Sequence, residues 1–342
     1  MSEIELQDAI LRHSLELMRL SAGEQAKTEA ILRDLERELK LLLQSKELSA
    51  ASKAEIRALI AEAQAIINPA YATAAKSLDT HALAIIVAEH SAHLIEPLAV
   101  GAVKRVTAET LASLTKDVLI DGAPSSAWWA KQADDTAFKF AAQVRQGVIN
   151  GETNERIVQR IVGKRGEPGI MEVARRNARA IVHSSVMSAA NDARLATFRK
   201  NSRIIAGVRW LSTLDSHTCV QCSALDGQAW DLDGAPLTGT TIDYQSPPAH
   251  WSCRCVLSPI PKSFRDIGLD IDEPEAGQRA SASGPVGGKT TFDQFLKRQP
   301  DGFADKVLGK ARADLFRRGK ITVRDLVSAT GRELTLEQLS AL

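Results

Sequence analysis

The four cysteines of this 342-residue chain lie close together in the sequence, in the motifs C-x-x-C and H-x-x-C-x-C. A C-x-x-C turn directs two thiolates at one centre. In the second motif, Cys253 and Cys255 are separated by one residue, so they share one face of a strand if that segment is extended. Tetrahedral zinc prefers four nitrogen or sulfur ligands of this kind. The spacing therefore predicts a structural Zn²⁺ site with five candidate ligands, which are Cys219, Cys222, His250, Cys253 and Cys255.

Two other interpretations of this cysteine cluster remain open, namely disulfides or free thiols, and a catalytic metal. Disulfides need an oxidising compartment, and the N-terminal sequence MSEIE lacks the basic and apolar regions of a signal peptide. A catalytic zinc usually has three protein ligands and one open position, whereas five candidates crowd this centre. We favour Cys219, Cys222 and Cys253 as ligands of a structural ion, with His250 or Cys255 as the fourth.

Residues beside the cysteines could also support catalysis. A hydrolase could use Asp215 and Asp226 as acid and base next to a metal, with His217 nearby. Turn formation explains both aspartates equally simply, as an Asx turn at Asp215 and a tight turn at Asp226-Gly227. The sequence has no G-x-S-x-G motif and no cysteine outside the cluster. We therefore expect no enzyme, and a zinc-dependent hydrolase or nuclease is the alternative.

The cysteine segment as a whole follows a longer pattern, W-x-x-x-x-D-x-x-T-C-x-x-C-x-x-L-D-G and then P-x-H-x-x-C-R-C. This pattern resembles the phage Mu F-like head-morphogenesis family, whose members are also called minor capsid or minor head proteins. A second block, at residues 291–339, resembles the end of many minor head proteins. The residues on the pattern are Trp210, Asp215, Thr218, Cys219, Cys222, Leu225, Asp226, Gly227, His250, Cys253, Arg254 and Cys255.

The helix that precedes this pattern departs from the family. Members of the family carry an Arg-Thr-Glu-like triplet there, where this chain has His183, Ser184 and Ser185. Any role that the family assigns to that Arg or Glu therefore does not transfer to this chain.

The resemblance implies a minor head protein that acts in phage head morphogenesis by binding. The implied partners are the portal protein, the major capsid protein or both, together with packaged double-stranded DNA contacted without sequence specificity. The implied location is the virion, in the capsid interior or at the portal vertex, with the host cytoplasm as the location before assembly. The zinc ion would be structural, and no membrane is expected.

Composition is ordinary for a globular protein, with 44% hydrophobic and 25% charged residues and a formal net charge of +1. Such a small net charge predicts no bulk attraction to nucleic acid. No run approaches the roughly 20 apolar residues of a membrane span. Basic residues gather between Arg156 and Arg209 and again between Lys306 and Lys320. They could contact phosphates, although a solvated helix face is the more frequent explanation.

Hydrophobic periodicity predicts helices over most of the chain. Residues 1–67 should form three helices, with capping boxes at Ser21 and Ser52 and a stop at Pro69, arranged either as a docking arm or as an ordinary bundle. His90 and His93 are expected at a helix surface or interface. Further predictions are a helix at 171–200 and short strands at 204–211, 228–232 and 256–261.

The predicted fold class is α+β and predominantly α-helical, in four parts. A helical N-terminal region at 1–120 could dock onto the portal or capsid. A small Mu F-like domain at 125–262 contains strands that the zinc knuckle at 213–261 staples together. An acidic, Gly/Ser-rich linker at 263–290 leads to a helical C-terminal module at 291–342.

Overall fold

The computed structural model describes residues 2–48, 51–99, 101–116, 118–263, 265–266 and 277–341. The predicted α+β, predominantly helical class is confirmed. The helices are α1 Glu3–Gln44, α2 Lys53–Lys76, α3 Thr80–Ile95, α4 Ala108–Thr115, α5 Ser125–Ile149, α6 Asn154–Val162, α7 Ile170–Lys200, α8 Val220–Leu225, α9 Phe292–Lys297, α10 Asp301–Leu308, α11 Lys310–Arg317 and α12 Leu336–Ser340. The strands are β1 Leu119–Ile120, β2 Ala123–Pro124, β3 Gly163–Lys164, β4 Glu167–Pro168, β5 Ile205–Leu211, β6 Ala229–Asp231, β7 Val256–Pro261, β8 Gln278–Arg279 and β9 Val286–Gly287.

Helix α1 continues through the place where the sequence predicted a new helix to begin. Ser21 does not cap a helix there, because its hydroxyl is buried and lies 3.3 Å from His183 Nδ1. The S-x-x-E pattern at Ser21 therefore reflects a tertiary contact inside a helix of 42 residues, and the predicted helix start was wrong.

Helix α2 begins as predicted and ends later than predicted. The Ser52 hydroxyl accepts a hydrogen bond from the Glu55 amide, and the Glu55 carboxylate accepts one from the Ser52 amide, which together form a capping box. Pro69 lies inside the helix and does not end it. An interior proline costs about 3 kcal/mol. The burial of Tyr71 and Ala74 beyond it offsets this cost, and Tyr71 also hydrogen-bonds Thr136 of α5 at 2.8 Å.

The chain folds into two compact units, each built from separate stretches. The first unit consists of 1–18, 81–116 and 187–342, and the second of 19–80 and 117–186. Both units receive residues from α1 and from α7, which are 42 and 31 residues long. The four-part division of the sequence at 120, 262 and 290 remains a prediction.

A three-stranded antiparallel sheet lies in the core of the first unit, in the order β6-β5-β7. Its strands confirm the three predicted from the sequence to within a residue or two. In its register, Val208 lies opposite Trp230 and Trp210 opposite Leu257. Both tryptophans are fully buried, together with Leu6 of α1. The N-terminal end of α1 therefore belongs to the same core as the sheet.

The predicted linker at 263–290 is described in part, because residues 264 and 267–276 lie outside the described residues. The described end of this stretch contains the β8–β9 hairpin, in which Gln278 pairs with Gly287. The Arg279 side chain is only 4% exposed. Residues 277–290 therefore contain a β-hairpin that the buried Arg279 side chain anchors, in a stretch whose Gly and Ser content predicted a linker.

The tail from residue 291 onward is helical, as predicted. Its helices enclose a second apolar cluster in the first unit, which includes Phe292, Phe295 and Phe316. Leu214 and Val220, which flank the C-x-x-C motif, pack in the same cluster. The tail therefore covers one side of the segment that carries the cysteines.

Three polar side chains meet inside the first unit. The rings of His13 and His90 stack with centroids 3.7 Å apart, and Arg194 Nη2 lies 3.3 Å from His13 Nδ1. Burial and the neighbouring Arg194 lower the pKa of His13 to about 3, so this imidazole is neutral at neutral pH. His90 thus has a defined place inside the unit, whereas His93 is exposed and contacts Glu96.

Gly207 in β5 provides a test of the sheet that supports the cysteine segment. A Cβ atom there would lie 2.2 Å from the Trp230 carbonyl oxygen of β6. Gly207→Ala should therefore lower the free energy of unfolding by about 2 kcal/mol or more, as overpacked sites do. Urea denaturation followed by tryptophan fluorescence measures the change.

Gly302→Ala is the matched control for this substitution. Gly302 lies in α10 with no atom within 4 Å of its added Cβ. Alanine in a helix should leave stability unchanged or raise it by up to about 1 kcal/mol. Equal effects of the two substitutions would contradict the close approach of β5 and β6.

Candidate metal centre

Helix α8 brings the two cysteines of the C-x-x-C motif to one side. Cys219 is the N-cap of α8, and its sulfur accepts a hydrogen bond from the Cys222 amide at 3.4 Å. Cys222 lies one helical turn further on and is buried. An N-cap side chain points back toward the first-turn amides. The motif therefore directs both thiols at the same space, as its spacing predicted.

A turn brings the second pair of donors to this space. The Cys253 amide donates to the His250 carbonyl at 3.2 Å, which closes the H-x-x-C motif. His250 Nδ1 lies 2.9 Å from the Trp251 carbonyl and donates to it, so that Nε2 is free to face the sulfurs. Metal-binding histidines are commonly oriented by a hydrogen bond of this kind.

The five predicted ligands form two overlapping groups of three. His250 Nε2 lies 3.2 Å from Cys219 Sγ and 3.1 Å from Cys222 Sγ. In the other group, Cys222 Sγ lies 3.7 Å from Cys253 Sγ, and Cys255 is close to both. Two thiolates on one tetrahedral zinc would be about 3.8 Å apart. The donor atoms of each group are close enough to hold one metal ion.

Cys255 occupies a different environment from the other donors. It is buried at the start of β7, and its Sγ lies 3.4 Å from the Ser212 hydroxyl. That hydroxyl has a single proton and donates it to the Cys222 carbonyl at 2.6 Å. A hydrogen bond between Ser212 and Cys255 would therefore have the Cys255 thiol as its donor.

The protonation of the cluster follows from these contacts. The hydrogen bond with Cys222 is the largest of the effects that lower the pKa of Cys219 to about 5, and His250 acts in the same direction. Cys219 in turn raises the pKa of His250 to about 11. Burial raises the pKa of Cys255 well above that of an ordinary thiol. Cys219 and His250 thus form a thiolate–imidazolium pair, in which a cation would replace the imidazolium proton.

The part of the chain that contains this centre matches a known protein family. Residues 139–258 match the family model described as phage Mu protein F like protein. This segment is Mu F-like. The match includes all five candidate ligands, confirms the resemblance seen in the cysteine segment and indicates a protein related to phage heads. The second block, at 291–339, lies outside the match and remains a prediction. No curated protein sequence and no solved structure matches the chain.

Asp215 and His217 of the Mu F-like segment have structural contacts. Asp215 Oδ1 accepts a hydrogen bond from the His217 amide at 2.9 Å, which confirms the predicted Asx turn. Both carboxylate oxygens also accept from Arg254, at 2.7 and 2.8 Å. The His217 side chain is exposed. Arg254, which lies between two of the cysteines, therefore secures the turn that leads into α8.

Asp226, at the other end of α8, is fully engaged in a buried network. Its Oδ1 accepts from Arg279 at 2.6 Å and from the Ser212 amide at 2.9 Å. Its Oδ2 accepts from Arg279 at 3.0 Å and from the Phe292 amide at 3.1 Å. This carboxylate thus joins the β8–β9 hairpin and the start of the helical tail to the metal centre.

Three side chains near the centre were missed at the level of sequence. Ser212 and Arg279 belong to the network just described. The third is Asn191 of α7, whose Nδ2 donates to the Cys255 carbonyl at 3.4 Å and whose Oδ1 accepts from the Leu257 amide of β7 at 3.2 Å. Asn191 is a polar residue in the apolar stripe of α7, which is a signal that could have identified it. Nothing in the sequence around Ser212 or Arg279 distinguishes either residue from a surface residue.

Asp226→Asn tests whether the buried network supports the metal centre. The substitution leaves the Arg279 guanidinium buried beside a neutral group, and breaking such a pair costs about 3–5 kcal/mol. Urea denaturation should show this loss. Asp215→Asn, in the half-exposed pair with Arg254, is the matched control and should cost about 1 kcal/mol. Equal small losses in both variants would contradict a structural role for Asp226.

Proposed function

We propose that Cys219, Cys222, His250 and Cys253 bind one structural Zn²⁺. Three thiolates and an imidazole are a usual ligand set for structural zinc. His250 is the fourth ligand in this proposal because its Nε2 faces Cys219 and Cys222. Cys255 is outside the set because its thiol proton is needed for the contact with Ser212.

The donor set can be tested by metal analysis and by X-ray absorption at the zinc edge. Protein purified without chelator should contain about one zinc per chain, with three sulfurs at about 2.3 Å and one nitrogen at about 2.0 Å. Cys219→Ser combined with Cys253→Ser should lose the metal and unfold the first unit. Cys255→Ser is the control and should retain the ion with an unchanged spectrum. Four sulfurs around the ion would show that Cys255 binds in place of His250.

We propose further that the chain is a minor head protein that binds the portal protein, the major capsid protein or both during head assembly. The observation that carries this proposal is the Mu F-like match over residues 139–258. A position in the capsid interior or at the portal vertex is part of the same proposal. Among the helices of the described residues, none combines the length and the hydropathy that a membrane span requires.

The geometry of the candidate metal centre favours a structural metal in a binding protein over a catalytic metal in a hydrolase. The carboxylates that a zinc-dependent hydrolase or nuclease would use, Asp215 and Asp226, are held by Arg254 and Arg279. A general base needs a free lone pair within reach of its substrate. The geometry therefore supports a structural metal, and catalysis stays the alternative.

The first basic run gives little support to non-specific contact with packaged DNA. Several residues of the first basic run already have acidic partners within the chain. Arg175 pairs with Glu36, and Arg179 with Glu29. Paired guanidinium groups release fewer counterions on binding DNA, so these residues would add little affinity.

Quantitative mass spectrometry of purified phage particles tests the proposed role. The chain should be present at low copy number relative to the major capsid protein, and crosslinking should connect it to the portal or the shell. The variant with both Cys219→Ser and Cys253→Ser should be largely missing from particles, whereas Cys255→Ser should be incorporated normally. Absence of the unmodified chain from particles, with normal heads when its gene is deleted, would exclude the role.

A further inference from the structure

A cavity of about 590 Å³ opens in the first unit, away from the proposed ligands. The start of α1 forms one wall, and β5 and the end of β7 form another. The β8–β9 hairpin and its continuation at 288–291 close the third side. The volume is in the range of small-ligand pockets.

The cavity has an excess of positive charge. Five cationic side chains line it, and two of them are neutralised, Arg209 by Glu3 at 2.8 Å and Arg279 by Asp226 at 2.6 Å. The other three have no ion pair or side-chain hydrogen bond within the described part of the chain. These three, which we call the cationic triad, are Lys262, Lys289 and Arg324.

Apolar side chains line the same cavity beside the cationic triad. Ile4, Leu98 and Leu211 are buried, whereas Ile204, just before β5, and Pro261, at the end of β7, are half-buried. The packing is close, since a Cβ atom on Gly288 would lie 2.3 Å from Ile4 Cγ2. Ile204 and Pro261 are therefore the apolar side chains on which a ligand could bury further surface.

These features favour one class of ligand. A cavity that has apolar side chains, and cations without a partner among the described residues, complements a peptide that has both apolar and acidic side chains. Nucleic acid fits less well, because proteins bind exposed bases by stacking them on aromatic rings, and among the described residues no aromatic side chain lines this cavity. The volume is also too small to admit a duplex.

We infer that this cavity binds an acidic peptide segment of a partner protein. An apolar side chain of the peptide packs against Ile204 and Pro261, and the carboxylates of the peptide pair with the cationic triad. The inference rests on the proposed binding role and gives that role a contact surface. A peptide measurement in solution is independent of incorporation into particles, so either proposal can fail without the other.

The test uses the full chain and the fluorescein-labelled peptide EELEELEE in a fluorescence anisotropy titration. The cavity variant is Lys262→Gln, Lys289→Gln and Arg324→Gln combined. No described contact of these side chains is lost, so the variant should fold, which a urea titration checks. Lys306→Gln, Lys310→Gln and Lys320→Gln combined form the matched control, with the same change in charge on exposed residues of the tail.

The cavity variant should weaken peptide binding by about tenfold or more, and the matched control by less than about twofold. The peptide QQLQQLQQ should bind far more weakly than EELEELEE. Equal losses in the two variants would show non-specific attraction and overturn the inference, as would an absence of peptide binding. A double-stranded oligonucleotide could instead displace the peptide and fail to bind the cavity variant. That result would identify nucleic acid as the ligand of the cavity and overturn the inference.

Discussion

The buried ion pair between Asp226 and Arg279 is the interaction on which the architecture of the first unit depends. Burying two charges is expensive unless each also has further hydrogen bonds. Asp226 has them in the Ser212 and Phe292 amides, and Arg279 has them in the Ser212 and Thr290 carbonyls. Four segments that are distant in the sequence are thereby joined at one point. The candidate metal centre, the β8–β9 hairpin and the helical tail are therefore held together by this one buried network.

The same network relates the metal centre to the cavity. Asp226 lines the cavity, and Ser212 contacts both Asp226 and Cys255. The proposed zinc ion would fix α8 and the start of β7, which are the elements that hold Ser212 and Asp226 in place. In a head protein that acts by binding, a structural metal of this kind would maintain the shape of a contact surface, with no chemistry of its own.

Much of this arrangement was predictable because it depends on local spacing. The C-x-x-C and H-x-x-C-x-C motifs identified the donors, since a helix N-cap and a tight turn each bring residues three apart to one side. Alternation identified β5, and the continuous apolar stripe identified α7. The proposed choice of His250 over Cys255 was not predictable, because it depends on the proton of Ser212, a residue outside both motifs.

The sequence by itself thus determined the class of the fold, the five candidate metal ligands and the resemblance to Mu F-like proteins. Only the tertiary structure decided that Ser21 lies inside a helix, that Arg279 is buried in a hairpin and that Leu6 belongs to the core of the sheet. The physical reason is that caps, turns and periodicity act over a few residues. Burial and ion pairing join residues that are far apart in the chain, and no local pattern records those partners.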